Sequence, residues 1–317
     1  MADRVKLKHL RCFAAVAETG SFTVAAARLC LTQSALTATI QQFEEAVGQR
    51  LFDRSTRRVA LTADAARFLP EAQRLIRGFD SAVGDLLALS QGHAGHIRIA
   101  AAASVIHHFL AGAIEDFRHD YPKITIALRD AAAQQVERLV VEGEVDFGIE
   151  SRWQGFEGLE YVPLLGDRYG VVCRSDAPPA RGEGALGWSQ LPPEGYIAFS
   201  PDTGIGQFLR NNVGDWAPLR EAHDEVTSTT SLFAMLNTGT RYSVVPAMAM
   251  RQQEFPSLVF RELREPTLSR ELCLITRRLR ALSPSAERLV HVITANLQQA
   301  SLPRGVQVLA AAPISLR

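Results

Sequence analysis

Over the first ninety residues apolar positions recur at steps of three and four, the spacing of buried helix faces. Leu7, Leu10, Phe13, Ala14 and Ala17 mark one such face. Thr19-Gly20-Ser21 should end that helix, since Gly stops helices and Ser caps the next one. A short helix from Thr23 to Leu29 is expected to bury Ala25, Ala26 and Leu29, its small alanines allowing another helix to approach closely. Cys30-Leu31-Thr32 turns the chain, and Thr32 is placed to cap a third helix running to about Val47. Ala35, Leu36, Ile40, Phe43 and Val47 form its predicted buried face. Two short helices, a tight turn and a third helix make a helix-turn-helix. After Gly48, apolar Leu51-Phe52, a polar and basic stretch and then Ala60-Leu61-Thr62 read as two short strands around a tip, a wing.

Thr62 should cap a long helix to about Leu89. Ala65, Phe68, Leu69, Ala72, Leu75, Ile76, Phe79, Val83 and Leu86 lie on one stripe of it, and a stripe this long calls for a partner helix. Intramolecular packing on the sensor is the alternative. Pro70 inside the stretch predicts a kink or a later start. Gln91-Gly92-His93-Ala94-Gly95 supplies a hinge.

From Gly95 the pattern alternates between short apolar runs and helical segments. Strands are expected at 97–102, 124–128, 145–149, 159–165 and 169–173, with helices at 106–118 and 134–142, an α/β arrangement. A second unit follows: a strand at 196–199, a helix at 204–211, a polar run at 221–229, a helix at 230–237 and a strand at 242–245. The chain then returns through strands at 258–261 and 271–276 to a last helix, about 284–299. Leaving one unit, building another and coming back implies two lobes with a cleft between them.

The organisation expected is therefore a winged helix-turn-helix over 1–62, a linker and dimerisation helix over 63–90, a hinge over 91–95 and a sensor over 96–302. Its first lobe takes about 96–163 and 270–302, its second about 164–269. A tail, 303–317, has no assigned structure.

Composition is that of an ordinary soluble protein, 47% hydrophobic and 21% charged, with zero net charge. The charge is unevenly distributed. Residues 1–60 hold nine lysines and arginines against five acids, leaving +4 there and −4 elsewhere. A basic end on an acidic body points to a polyanion. The four cysteines, Cys12, Cys30, Cys173 and Cys273, are scattered, form no CxxC pair and complete no zinc site, which suits a reducing compartment. The N-terminus lacks an apolar signal core, and no apolar run is long enough to span a bilayer, so the expectation is a cytoplasmic protein without cofactor, metal or membrane partner.

The outward face predicted for the third helix carries Gln33, Ser34, Thr37, Ala38, Thr39, Gln41 and Gln42. Gln can pair with adenine, Ser and Thr can donate to phosphate, and a Thr methyl can touch thymine. Such a stripe is also what a merely solvated helix shows. The wing shifts the balance, because Arg54, Arg57 and Arg58 follow at once and can straddle phosphates or enter a minor groove. With Thr32 at the helix start, these form the candidate DNA interface.

Leu31-Thr32-Gln33-Ser34-Ala35-Leu36-Thr37, Phe43-Glu44-Glu45-Ala46-Val47-Gly48, Leu51-Phe52-Asp53-Arg54 and Leu61-Thr62, in that order, resemble the DNA-binding signature of LysR-type transcriptional regulators. The resemblance implies Gln33, Ser34, Thr37 and Arg54 at double-stranded DNA. It departs at Ala38, often basic in the family, and at Ala65, often Gly. Beyond residue 95 the chain resembles the family's periplasmic-binding-protein-like sensor, chiefly through Val145-Asp146-Phe147-Gly148-Ile149 and residues 239–246, where Arg241 replaces a common Gly. A homodimer is favoured because it would place two recognition helices on two half-sites; the resemblance suggests a tetramer through sensor pairing, and RNA polymerase is an expected partner if the protein activates. The dimer seam would be Phe68, Leu69, Ala72, Leu75, Ile76, Phe79 and Val83.

In open α/β sheets ligands sit beyond strand C-termini, against helix N-termini. Ser104 ends the first sensor strand. Ser200, Pro201, Asp202 and Thr203 precede helix 204–211, and Thr227, Ser228, Thr229 and Thr230 precede helix 230–237. Each could simply cap a helix, but three sets at lobe faces suit a small carboxylate-like effector. The candidate effector set is Ser104, Ser200, Pro201, Asp202, Thr203, Thr227, Thr229 and Arg241. Ala131-Ala132-Ala133 offers no hydroxyl where the family often has one. His107 and His108 lie one turn past Ser104, as packing or surface residues. Two rival functions stay open: a thiol redox regulator of the same architecture, for which Cys173 and Cys273 would have to meet, and an enzyme on a binding-protein-like fold. Against the enzyme, the chain shows no nucleophile elbow, phosphate loop, HExxH or informative carboxylate pair.

Overall fold

A computed structural model of the chain describes residues 5–55, 58–90, 95–182, 184–251 and 253–309. It separates into two compact units, Met1–Gln91 and Gly92–Arg317. Of the expected hinge, residues 91–94 lie outside the described residues, and Gly95 opens the first sensor strand.

The N-terminal unit begins with α1 (Leu7–Thr19), α2 (Phe22–Arg28) and α3 (Gln33–Val47). Local capping sets their starts. Ser21 Oγ accepts from the Val24 N–H at 3.3 Å, and Thr32 Oγ1 accepts from the Ala35 N–H at 3.2 Å. Gly48 ends α3 with φ +72°, a left-handed conformation that costs Gly least. A wing of two antiparallel strands follows, β1 (Phe52–Ser55) and β2 (Arg58–Leu61). The Glu44 carboxylate fastens it by accepting from the Leu51 N–H at 2.8 Å. Then comes α4 (Ala63–Ser90), capped where Thr62 Oγ1 accepts from the Ala65 N–H at 3.3 Å. The helix is continuous through Pro70, which does not delay its start.

Phe13 joins all of these parts. It is fully buried, and its ring meets Phe43 of α3 at 6.1 Å, Phe52 of the wing at 5.6 Å and Phe68 of α4 at 5.8 Å. Burying one such ring stabilises by about 1.5–3 kcal/mol. One expectation fails at the edge of this core. Val47 is 39% exposed, because the last turn of α3 extends past the packed region. Cys30 is exposed, unlike Cys12, because it sits in the turn at φ 53°.

The sensor opens with β3 (Gly95–Ala101), then α5 (Ala103–Val105), which continues through a π turn at Ile106–Leu110 into α6 (Ala111–Asp120). Next come β4 (Ile124–Asp130), α7 (Ala133–Val141) and β5 (Phe147–Ser151). β3 lies parallel to both β4 and β5. The VDFGI run serves this packing. Asp146 accepts from the Arg98 N–H at 2.8 Å and from its guanidinium at 2.9 Å, holding the β5 approach to β3.

β6 (Leu159–Arg174) is one strand where two were expected. Gly166-Asp167-Arg168 reads as a break, yet Asp167 is wholly buried against Arg270 and the ladder runs through it. Beyond it lie β7 (Leu186–Gly187), β8 (Ile197–Phe199), α8 (Gly204–Val213), α9 (Ala217–Arg220), β9 (Asp224–Val226), α10 (Thr229–Asn237) and β10 (Tyr242–Pro246). The chain closes with β11 (Leu258–Arg264), β12 (Ser269–Arg277), α11 (Pro284–Gln299) and β13 (Val306–Val308). Four short elements depart from the sequence reading, β7, α9, β9 and β13. The polar run 221–229 contains β9, parallel to β8, and the tail contributes β13, antiparallel to β6.

The sheet runs β4-β3-β5-β12-β6-β11-β7, with β10 and β13 also on β6. The long β6 serves both lobes. Its first part pairs with β12, and residues 169–173 pair with β10. Leu164 and Leu165 pack in the first lobe's core with Ile97, Phe147, Leu274 and Ile293. Tyr169 and Val171 pack in the second lobe, and Val172 packs on that sheet's other face with Phe199 and Phe233. The outward crossing thus lies at Asp167–Tyr169, a few residues later than expected, because core membership rather than strand hydrophobicity decides it. The return crossing is at Ser269–Arg270, where those residues pair with Arg168 and Asp167.

Candidate functional site

In the N-terminal unit, α3 presents Gln33, Ser34, Ala38, Gln41 and Gln42 to solvent, with Thr37 half-buried. Thr32 and Ser34 hydroxyls contact each other at 3.1 Å, and Thr23 Oγ1 donates to Gln33 Oε1 at 3.2 Å. The latter bond engages the Gln33 amide oxygen and leaves its amide hydrogens for other acceptors. Thr39 is not on this face. It is 4% exposed and its hydroxyl donates to the Ala35 carbonyl at 2.8 Å, so its polarity is absorbed by its own helix. Arg57 lies outside the described residues, as do the side chains of Arg54 and Arg58; the backbones of Arg54 and Arg58 are in β1 and β2.

The apolar stripe of α4 divides in two. Ala72 is fully buried in the N-terminal core, and Phe68, Leu69 and Ile76 pack against that core. Ala72 is therefore not available to a partner helix. The stripe is wider than one interface, and α1 takes its inner edge. Leu75, Phe79 and Val83 stay outside, exposed by 47%, 49% and 37%.

In the sensor, strand C-termini converge on a cavity of about 260 Å³. Ala102 follows β3, Asp130 ends β4, Glu150 lies near the end of β5, Phe199 ends β8, Thr227 follows β9 and Pro246 ends β10, and all line it. The residues before α5, α7, α8 and α10 line it too: Ala102, Ala132, Thr203 and Ser228. The cavity thus meets four helix N-termini. Those of the second lobe are already occupied. Thr203 Oγ1 accepts from the Gly206 N–H at 3.1 Å and donates to the Ser200 carbonyl at 2.7 Å. A Cβ on Gly206 would stand 2.0 Å from that carbonyl, so only Gly permits this tight first turn. Ser228 Oγ accepts from the Ser231 N–H at 3.2 Å. In the first lobe Ala102 and Ala132 make no side-chain cap, leaving backbone donors toward the cavity.

Of the predicted effector residues, Ser104, Thr203, Thr227 and Thr229 line this cavity. Ser200, Pro201 and Asp202 do not; Pro201 and Asp202 are exposed, and Ser200 contributes its carbonyl to the Thr203 cap. Arg241 is misplaced in that set. It precedes β10 at the end opposite Pro246, where it pairs with Asp224 at the start of β9. His108 contacts the Met250 carbonyl at 3.1 Å and His107 lies 3.6 Å from Glu254, both packing roles.

A buried charge cluster stands behind the cavity, and sequence reasoning missed it. Arg270 Nε donates to Asp167 at 3.0 Å, Arg270 Nη2 donates to Ser104 Oγ at 3.3 Å, and Arg270 Nη1 lies 3.7 Å from Glu150. Asp167 Oδ1 also accepts from the Met248 N–H at 3.0 Å. Burial pushes the Glu150 carboxyl above its ordinary range, against the pull of Arg270. A larger hollow of about 420 Å³, lined by Arg152, Trp153 and Phe208 among others, shares Arg270 and Gly204 with the first.

Cys173 and Cys273 do not meet. Cys273 is two residues from Glu271 on β12 and opposite Pro163, whereas Cys173 is ten residues further along β6. At about 3.3 Å per residue that is roughly 30 Å, far beyond disulfide reach. Burial raises each thiol to about 11.

Residues 7–66 match the family described as bacterial regulatory helix-turn-helix protein, lysR family, and residues 90–298 match the LysR substrate binding domain. The chain belongs to the LysR family of transcriptional regulators. This LysR-type regulator is 30% identical over 283 residues to the Escherichia coli K12 protein named uncharacterized HTH-type transcriptional regulator YbhD, covering 89% of each chain. It is 29% identical over 298 residues to YfeR of Shigella flexneri, likewise named an uncharacterized HTH-type transcriptional regulator, covering 90% and 92%. A full-length OxyR variant from Pseudomonas aeruginosa has the same fold at TM-score 0.68 and 18% identity, covering 96% and 98% of the two chains. CbnR complexed with its target DNA matches at TM-score 0.63 and 20% identity, covering 92% and 100%. The regulator thus pairs a DNA-binding helix-turn-helix with an effector-binding domain. No helix among the described residues is long and apolar enough to cross a membrane.

Proposed function

We propose that this regulator reads a duplex operator through the N-terminal half of α3 and alters that binding when a small anionic molecule enters the interlobe cavity. Gln33, Ser34, Thr37, Ala38 and Gln41 face the bases and phosphates, Thr32 caps the reading helix, and Arg54, Arg57 and Arg58 of the wing hold backbone or minor groove. The observation that carries the sensing role is the convergence of four helix N-termini on one cavity bounded by both lobes. Unpaired N–H groups and the helix dipole favour an anion there. Ser104, Thr227 and Thr229 contact it, while Thr203 shapes the α8 end.

Leu75, Phe79 and Val83 hold a homodimer, which sets two recognition helices on two half-sites. The sensors pair dimers into a tetramer, and the cytoplasm, with RNA polymerase as partner of an activator, is the setting. The cleft senses and does not catalyse: Thr203 and Ser228 are tied into caps and Ser104 to Arg270, and no imidazole lines it among the described residues.

Selection of duplexes from a random pool by the full-length chain tests the DNA reading. A two-fold symmetric consensus is expected. Leu75→Glu with Phe79→Glu should halve the mass in sedimentation, because unpaired charges in an apolar seam are costly. A folded double variant of unchanged mass would place the seam elsewhere.

A further inference from the structure

Glu150 borders the interlobe cavity at 5% exposure. Its two oxygens differ. Oε1 accepts from the Ser151 hydroxyl at 3.2 Å and faces Arg270 at 3.7 Å, too far for a hydrogen bond. Oε2 is buried with no hydrogen-bond donor among the described residues. Arg270 does not neutralise Glu150 fully, because its Nε is committed to the wholly buried Asp167 at 3.0 Å. With Glu150 ionised, the cluster of two carboxylates and one guanidinium is one positive charge short. A buried acceptor without a donor is costly, and more so when charged.

The anion end of the cavity lies close by on the same lobe. α7 has nine residues and no side-chain cap, and the N–H groups of Ala133, Gln134 and Gln135 have no acceptor among the described residues. Ser104 Oγ accepts from Arg270, which leaves its own proton to point elsewhere. The side chains of the walls balance, Asp130 and Glu150 against Arg251 and Arg270, so a carboxylate ligand that also carries a cationic group matches them. At about 260 Å³ the space is below the range of about 300–1,000 Å³ that holds drug-sized ligands.

We infer that the effector is a free α-amino acid, its carboxylate on the α7 N-terminus and Ser104 and its ammonium group donating to Glu150. The inference rests on reading this cavity as the effector site. A ligand hydroxyl could supply the donor that Oε2 lacks but not the missing positive charge. An ammonium group supplies both, and placed beside a carboxylate it matches the two-signed wall.

The test uses the full-length chain and two sets of probes: the proteinogenic α-amino acids, and the matched acids lacking only the amino group. Thermal shift selects binders, and calorimetry gives their affinities. At least one amino acid should bind about tenfold or more tightly than its deaminated partner, the size expected of a charge-assisted hydrogen bond. Glu150→Gln should erase that preference, and Ala132→Trp, which fills the cavity mouth, should abolish binding. The comparison within the parent protein stands even if Glu150→Gln fails to fold. Deaminated acids binding as well as or better than amino acids, with loss in Ala132→Trp, would overturn the amino-acid assignment and leave the cleft intact as the effector site. A preference that survives Glu150→Gln would also overturn it. A neutral Glu150 donating to a ligand carboxylate, which Gln would mimic, would show itself as retained binding of plain acids. Binding of neither probe set would reject the assignment and count against the cleft as an anion site.

Discussion

In the N-terminal unit the residues facing outward from α3, Gln33 to Gln41, occupy consecutive turns of one helix, whereas the walls of the sensor cavity come from segments as distant as Ala102 and Arg270. The helix face is set by local periodicity and one cap, and the core beneath it is a ring cluster around Phe13. The cavity is set by topology, with parallel strands delivering their C-terminal ends to one place from both lobes. A side chain on α3 can therefore be removed with little consequence beyond its own contact. A side chain behind the cavity is coupled to the lobe crossing, because Arg270 and Asp167 lie on the two strands that pass between lobes.

The largest expected difference follows from that coupling. Arg270→Met would leave Asp167 and Glu150 buried without their shared cation and should cost about 3–5 kcal/mol. Urea unfolding of the full-length chain measures it, and a midpoint equal to the parent's would show the cluster to be energetically idle. On the other side of the comparison, Gln33→Ala should leave the unfolding curve in place and lose about 1–3 kcal/mol of binding to the selected operator, with non-specific binding kept. Anisotropy titrations against specific and scrambled duplexes separate the two terms. Unchanged discrimination would remove Gln33 from base reading.

Thr203→Val and Ser104→Ala sharpen the contrast inside the cavity. Thr203 uses both its donor and its acceptor in the α8 cap, so its replacement should cost about 1 kcal/mol of stability and change ligand affinity little. Ser104→Ala should do the reverse, weakening the ligand found by thermal shift while the midpoint holds. If Thr203→Val alone abolishes binding, the cap is also a ligand contact. The smallest effect concerns thiols. Brief maleimide treatment near neutral pH should label Cys30, which is exposed, while Cys173 and Cys273, buried and raised to about 11, stay unlabelled in mass spectra of the folded chain. A disulfide between Cys173 and Cys273 under oxidant would contradict their placement in separate lobes.

Much of the N-terminal unit was legible because its signals are local. Ser21, Thr32 and Thr62 act on backbone groups three residues away, and the wing follows its helix directly. Thr39 was misread because a hydroxyl that donates to the carbonyl four residues earlier is polar in sequence and apolar in packing. Ala72 was misread because one apolar stripe served two interfaces. In the sensor the element order was legible, and so were Ser104, Thr203, Thr227 and Thr229 at the cavity, since strand ends before helices carry a clear pattern. The continuity of β6 was hidden because Gly166-Asp167-Arg168 resembles a turn until Arg270 is known to answer Asp167 from 103 residues away. Glu150 was invisible for the same reason, and β13 because three residues carry too little pattern.

Occupancy of the interlobe cavity should change operator binding. The most direct test is an anisotropy titration of the selected operator with the full-length chain, with and without a saturating concentration of the ligand that stabilises it. Ala132→Trp is the companion variant, its side chain filling the cavity while α3 and the wing are untouched. Operator affinity should shift by about fivefold or more in the parent, within the usual range of coupling between sites, and not at all in Ala132→Trp, which should still bind the operator. An equal shift in both proteins, or none in the parent at full occupancy of the cavity, would contradict this coupling.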